Sequence, residues 1–172
     1  MSTFFKGLSK FGLLAHNYSG ADFLESENWP EGPELMKVCE FDRAHFPFPW
    51  SIESWMETQI SPKNYLLSTF YDQSGILKAF SLWRVSREEG LLHLLKIVVG
   101  PGMRRRGLGE TLLQETVKMA GSHGMGRFYL EVEEGNFGAI RLYEKLGFNK
   151  LHLTKNFYGK SRNCLKMLKS LK

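Results

Sequence analysis

Val98-Val99-Gly100-Pro101-Gly102-Met103-Arg104-Arg105-Arg106-Gly107-Leu108-Gly109-Glu110 runs from a β-branched strand end, through a basic turn, straight into a helix start. Upstream, Leu91 to Val99 is rich in Leu, Ile and Val and reads as a buried strand. Downstream, Gly107 to Ala120 reads as an amphipathic helix. Leu108, Leu112, Thr116 and Met119 recur about one turn apart, and Leu113 and Val117 widen the stripe. A helix that starts on such a turn presents unpaired N–H groups and about half a positive charge, which suits a phosphate. Gly107 and Gly109 let a ligand approach the backbone closely. No Gly-Lys-Ser/Thr follows, and Leu112 stands where a dinucleotide fingerprint needs a third Gly. On spacing alone, a phosphate-binding turn and a basic helix start with packing glycines both remain open.

Outward from this segment the elements alternate. Glu34 to Phe46 reads as a helix after Pro33, and Pro47 and Pro49 forbid regular structure in the next loop. Ser51 suits the cap of a second, short helix. Tyr65 to Tyr71 and Ile76 to Val85 flank Asp72-Gln73-Ser74-Gly75 as a hairpin, and Leu91 to Val99 extends it to a three-strand antiparallel meander. After the Gly107 helix, Gly121 to Gly126 is a break. Then come a strand at Phe128 to Val132, a helix at Asn136 to Leu146 with Gly147 as its C-cap, and strands at Phe148 to Leu153 and Cys164 to Leu168. The order predicts a single-domain α/β (α+β) fold with a mixed central sheet, not a repeated βαβ array.

The chain has 172 residues, of which 42% are hydrophobic and 13% aromatic, enough for one ordinary globular core. Disordered and low-complexity classes are excluded. Cys39 and Cys164 form no C-x-x-C, and His16, His45, His93, His123 and His152 show no ligand spacing, so neither a disulfide framework nor a metal is expected. No apolar run is long enough to span a bilayer, and the first 16 residues lack a secretory core. An organellar presequence and a short element packed on the domain both stay open for that stretch; the free thiols suit a reducing compartment, and a cytoplasmic location is expected. Residues 1–103 carry 9 Lys/Arg against 12 Asp/Glu, whereas residues 104–172 carry 14 against 6. A basic C-terminal part favours an anionic partner, either nucleic acid or a small molecule with several phosphates, beside the plain reading of a solvated basic face.

Arg104-x-x-Gly107-x-Gly109 after a Val-ended strand resembles the acetyl-CoA pyrophosphate loop of the GNAT acyltransferase superfamily. Asn136-Phe137-Gly138-Ala139-Ile140-Arg141-Leu142-Tyr143-Glu144-Lys145-Leu146-Gly147-Phe148 resembles that superfamily's second motif, at the right separation. Leu130-Glu131-Val132, and Ala44-His45 with Phe48-Pro49-Trp50-Ser51, are similar to bacterial ribosomal-protein-alanine N-acetyltransferases. The likeness covers residues 34–169, so the expected organisation is an N-terminal extension of unknown role at 1–33 and an acetyltransferase domain at 34–172.

The resemblance implies acetyl-CoA as co-substrate, bound between splayed parallel strands. By position, backbone groups of Ile97, Val98 and Val99 would meet the pantetheine arm. The segment Arg104, Arg105, Arg106, Gly107, Leu108, Gly109 and Glu110 would hold the pyrophosphate, and Asn136 would bond the arm. Glu131 would be the general base and Tyr143 the general acid. On pattern alone, Glu131 reads as a solvated strand carboxylate and Tyr143 as a core tyrosine. Phe48, Trp50, Phe157 and Tyr158 would line a peptide groove, packing under the loop being the alternative for the first two. Several residues depart from the family pattern. Gly100 replaces an Asp, and Glu110 stands where a base is usual and lowers the positive potential. Glu133-Glu134-Gly135 is unusually acidic, and Asn163 replaces a common acid.

The expected function is acetyl transfer to a protein N-terminal α-amine, with a ribosomal protein among the candidate partners and no direct nucleic-acid or membrane role. A small-amine acetyltransferase is the first alternative. A basic RNA- or ribosome-binding module with a degenerate acyl-CoA site is the second, in view of the aromatics among Lys155 to Arg162.

Overall fold

A computed structural model of the chain describes residues 13–19 and 29–171. In chain order the elements are β1 (Leu14–Ser19), α1 (Pro33–His45), α2 (Ile52–Ile60), β2 (Tyr65–Tyr71), β3 (Leu77–Ser86), β4 (Leu91–Val99), α3 (Leu108–Ser122), β5 (Arg127–Glu133), α4 (Phe137–Lys145), β6 (Asn149–Thr154) and β7 (Cys164–Ser170). The expected meander, helices and later strands are all present, with ends displaced by a residue or two. The expected N-terminal extension lies largely outside the described residues. Within it, however, β1 pairs antiparallel with β2, and Trp29 is buried in the core. The glycine break after α3 begins later than expected, because Gly121 is still helical.

Local chemistry accounts for the helix ends. Pro33 occupies the first turn of α1, and Ser51 accepts from the Ser54 N–H to cap α2. Asn136 accepts from the Ala139 N–H to cap α4, and Gly147, at φ 85°, lets the chain turn back after it.

The seven strands form one sheet in the order β1-β2-β3-β4-β5-β7-β6. One face is covered by α1 and α2 over a core of Leu35, Val38, Trp55, Phe80 and Val98. The other is covered by α3 and α4 over Leu113, Phe128, Leu130, Ile140 and Tyr143. Among the described residues β6 ends the sheet, exposed along nearly its whole length, and its register with β7 slips at Leu151. No helix among the described residues is long and apolar enough to cross a membrane.

The centre of the sheet is its irregular part. All neighbouring strands run antiparallel except β4 and β5. That parallel pair is registered only from Leu91 opposite Arg127 to Leu94 opposite Leu130, although β4 runs on to Val99 and β5 to Glu133. At the same level β4 slips against β3: Trp83 faces Leu94 and Leu82 faces Lys96, which leaves Leu95 as a bulge. The extra residue moves the buried side chains of β4 from one face to the other. Leu92 and Leu94 pack under α3 and α4, whereas Val98 packs under α1 and α2. Beyond the bulge the two central strands part, and each keeps only its outer neighbour.

Candidate active site

The open stretch of β4, Leu95 to Val99, has its β5-facing edge unpaired, so backbone groups there are available to a ligand. Where β4 ends, a 3-10 turn at Pro101–Met103 leads to Gly107, which adopts φ 83° as the N-cap of α3. No side chain caps that helix, so the first N–H groups of α3 point outward unpaired. Gly109 sits one residue inside. A Cβ built there would lie at ordinary contact distance, 3.5 Å from Val99 Cγ2 and 3.7 Å from Ile97 Cδ1, so α3 starts packed against the open strand. The unpaired edge, the bare helix start and the close packing together suit an extended ligand with amides at one end and phosphates at the other.

The arginines of the turn divide their work. Arg104 donates from Nε to the Val99 carbonyl at 2.9 Å and from Nη2 to the His45 carbonyl at 3.2 Å, so it ties the turn to β4 and α1. Arg105, at φ 55°, and Arg106 are exposed beside the helix start. Glu110, expected to weaken the positive potential, is neutralised by Lys145 of α4 at 2.7 Å. Asn136 spends its Oδ1 on capping α4, which leaves only its Nδ2 to donate to a ligand.

Glu131 is the first residue of β5 beyond the last pair with β4, and it faces the α1/α2 side. Tyr129 Oη donates to Glu131 Oε1 at 2.9 Å, His93 Nε2 lies 3.7 Å from Oε2, and Lys166 Nζ lies 3.9 Å from Oε1. Burial pushes the His93 pKa below its usual value; Glu131 opposes this and Arg84 adds to it, so the imidazole is neutral at pH 7. Burial, with the Glu131 hydrogen bond second, raises the Tyr129 pKa, which keeps that phenol a donor. Tyr143 is on the opposite face. Its ring is enclosed in the α3/α4 core with Phe148 at 5.9 Å, and burial raises its pKa, so it holds its proton at neutral pH. Glu131 thus stands at the point where the two strands part, and Tyr143 lies on the other face of the sheet, enclosed beneath α3 and α4.

The aromatic residues expected at the groove separate into two kinds. Phe48 is 58% exposed, and Phe157 and Tyr158 are also exposed. Phe157 lies 5.9 Å from Lys166, itself beside Glu131. Trp50 instead turns inward against Trp55 at 5.3 Å, because a buried ion pair beneath the loop holds it. Lys96 Nζ meets Asp42 Oδ1 at 3.0 Å and Oδ2 at 2.9 Å, with both side chains almost wholly enclosed. Asp42 Oδ2 also accepts from Trp50 N at 2.9 Å and Trp55 Nε1 at 3.1 Å. The ammonium donates to the Phe48 carbonyl at 3.3 Å and lies 4.1 Å from the Phe46 ring centre. Burial pulls the Lys96 pKa down, and the Asp42 partner opposes that shift. This pair was missed in the sequence, yet it carries a signal there. Asp42 completes the buried stripe Leu35, Val38, Cys39 of α1, and Lys96 continues the buried alternation Leu92, Leu94 of β4.

A parted parallel pair beside an open helix start can hold an extended, phosphate-bearing ligand between its strands. Residues 29–148 match the Acetyltransferase (GNAT) family, and the chain belongs to that family of N-acetyltransferases. The [Ribosomal protein bS18]-alanine N-acetyltransferase of Escherichia coli (strain K12) is 36% identical over 116 residues, covering 67% of this chain and 74% of the relative. An N-alpha-acetyltransferase of Saccharolobus solfataricus is 36% identical over 80 residues, 46% of this chain and 48% of that protein. In three dimensions the chain is similar to the ribosomal-protein-S18-alanine N-acetyltransferase from Escherichia coli, with TM-score 0.75 and 25% identity, covering 92% of this chain and 95% of the other.

Proposed function

We propose that this chain acetylates the α-amino terminus of a protein from acetyl-CoA, with a ribosomal protein in the cytoplasm as the acceptor class its relatives suggest. The observation that carries the reading is the parting of β4 and β5 immediately before Glu131, beside the uncapped start of α3. Acetyl-CoA fits the residues present. The α3 N–H groups beyond Gly107 would hold its phosphates, and the free edge of Ile97 to Val99 would hold its amide-bearing arm. Bound there, it supplies an acetyl thioester. Glu131 takes the proton from the incoming ammonium on the α1/α2 face, with Tyr129 and neutral His93 holding the carboxylate in place. Tyr143 would give its proton to the departing sulfur, and its phenolate would recover one from the nitrogen, which loses its second proton as the amide forms.

Gly107 checks the cofactor half of this reading. Its φ of 83° is strained for a β-branched residue, and a side chain there would crowd the outward N–H groups. Gly107→Val should raise the acetyl-CoA KM by at least about tenfold in a chain that still folds. Unchanged acetyl-CoA affinity in the folded variant would take the turn out of the site.

The acceptor follows from proton chemistry. An α-amino group has a pKa of about 8 and Lys about 10.4, so at pH 7 roughly one tenth of the former is neutral but only about four in ten thousand of the latter. A carboxylate is a modest base and serves the first far better. A short peptide beginning with Ala or Ser should be acetylated at its α-amine. The same peptide with a blocked terminus and an internal Lys should be at least about tenfold poorer in kcat/KM. Equal rates, or transfer only to polyamines or aminoglycosides, would overturn the peptide reading and leave the acetyltransferase standing.

A further inference from the structure

Two departures from the family pattern, the acidic Glu133-Glu134 and Asn163, meet in space, with Arg162 between them. Arg162 donates from Nε to Glu133 Oε1 at 2.8 Å and from Nη2 to Oε2 at 3.0 Å. Asn163 Nδ2 donates to Glu134 Oε2 at 2.8 Å. The Arg162 fork matches both carboxylate oxygens, a geometry that Lys cannot copy. The same guanidinium lies 4.3 Å from the Phe48 ring centre and 5.7 Å from that of Tyr158. One planar cation therefore joins the loop after α1, the end of β5 and the turn between β6 and β7.

This junction stands beside Glu131. Glu133 is two residues further along β5 on the same face, about 6–7 Å away. The front end cannot drift, since the Phe48 carbonyl is held by buried Lys96. We propose that Arg162 determines acceptor specificity: the Phe48–Arg162–Glu133 arch closes the groove about one side chain beyond Glu131 and admits only acceptors whose first residue is small. This rests on the proposed assignment of the Glu131 face to the acceptor. A bulky first residue must part Arg162 from Phe48 or break a two-point, charge-assisted bond, whereas Ala or Ser fits beneath both.

The test compares kcat/KM in two acceptor series of graded bulk. One pairs peptides that begin with Ala or Leu and are otherwise identical; the other pairs ethylamine with 3-methylbutylamine. The wild-type chain should favour the small member by at least about tenfold, within the range that pocket size delivers. Arg162→Ala and Arg162→Lys should each raise kcat/KM for the bulky member about tenfold, a gain that mere structural damage does not produce. Phe48→Ala should give the same gain. Bulky-acceptor rates that stay level or fall in the Arg162 variants would overturn the arch, as would a wild type that prefers Leu. A wild type that acetylates only the simple amines overturns the peptide reading alone, and the amine pair then decides for or against the arch. Transfer to neither series overturns both.

Discussion

Glu131→Gln should lower kcat by about 10²–10⁴, the usual contribution of a positioned base, with acetyl-CoA binding retained. The amide keeps the carboxylate's shape and can still accept from Tyr129, so the face around it with His93 and Lys166 persists. What it loses is the ability to take a proton. Tyr143→Phe should cost a similar factor for the opposite reason. The ring continues to pack against Phe148 in the α3/α4 core, but the proton held on its hydroxyl is gone. Steady-state kcat alongside acetyl-CoA affinity checks both. Near-native kcat in the two variants would refute the pairing of base and acid across the parted sheet.

Lys96→Met should lower the melting temperature by about 6–20 °C. Stranding one member of a buried ion pair costs about 3–5 kcal/mol, and a chain of this size shifts about 2–4 °C per kcal/mol. The variant leaves Asp42 enclosed as a carboxylate with only the Trp50 N–H and Trp55 Nε1 to satisfy it. Asp42→Ala should do comparable harm by leaving an ammonium against the Phe48 carbonyl and two aromatic rings. The double variant Asp42→Leu/Lys96→Met should recover part of the loss, because removing both charges together is far milder than removing one. Recovery stays incomplete, since the two tryptophan donors lose their acceptor. Thermal unfolding of the three variants measures this, and single variants that melt within about 2 °C of the wild type would show the pair to be energetically idle.

The central machinery was legible because it is written in short-range patterns. The bounds of β4 follow from unbroken Leu/Ile/Val content, and α3 from its stripe. The basic turn with Gly107 and Gly109 announces an open helix start. What stayed hidden depends on long-range pairing. The sequence of β1, Leu14–Ser19, shows no alternation and is a strand only because β2, some fifty residues later, offers it an edge. The bulge at Leu95 leaves no local trace, yet it decides that Lys96 turns toward Asp42. Glu110, Glu133 and Glu134 read as misplaced acids until Lys145, Arg162 and Asn163 are found opposite them. Trp50 shares an aromatic loop with the exposed Phe48, and only the buried carboxylate beneath explains why Trp50 packs inward instead.

The end strand β6 bears on how the protein behaves at high concentration. An open row of backbone donors and acceptors is a template on which another molecule's strand can add, the first step of aggregation. Here that row is only six residues long, carries Lys150 and His152, and is interrupted by the slip at Leu151. Such an interruption coils a strand away from the flat shape that stacking needs. The net charge of +5 at pH 7 adds repulsion between molecules, but at about 0.15 M salt that repulsion fades within about 8 Å. At physiological ionic strength the protection against fibre-like growth at this end is therefore chiefly one of backbone shape rather than of charge.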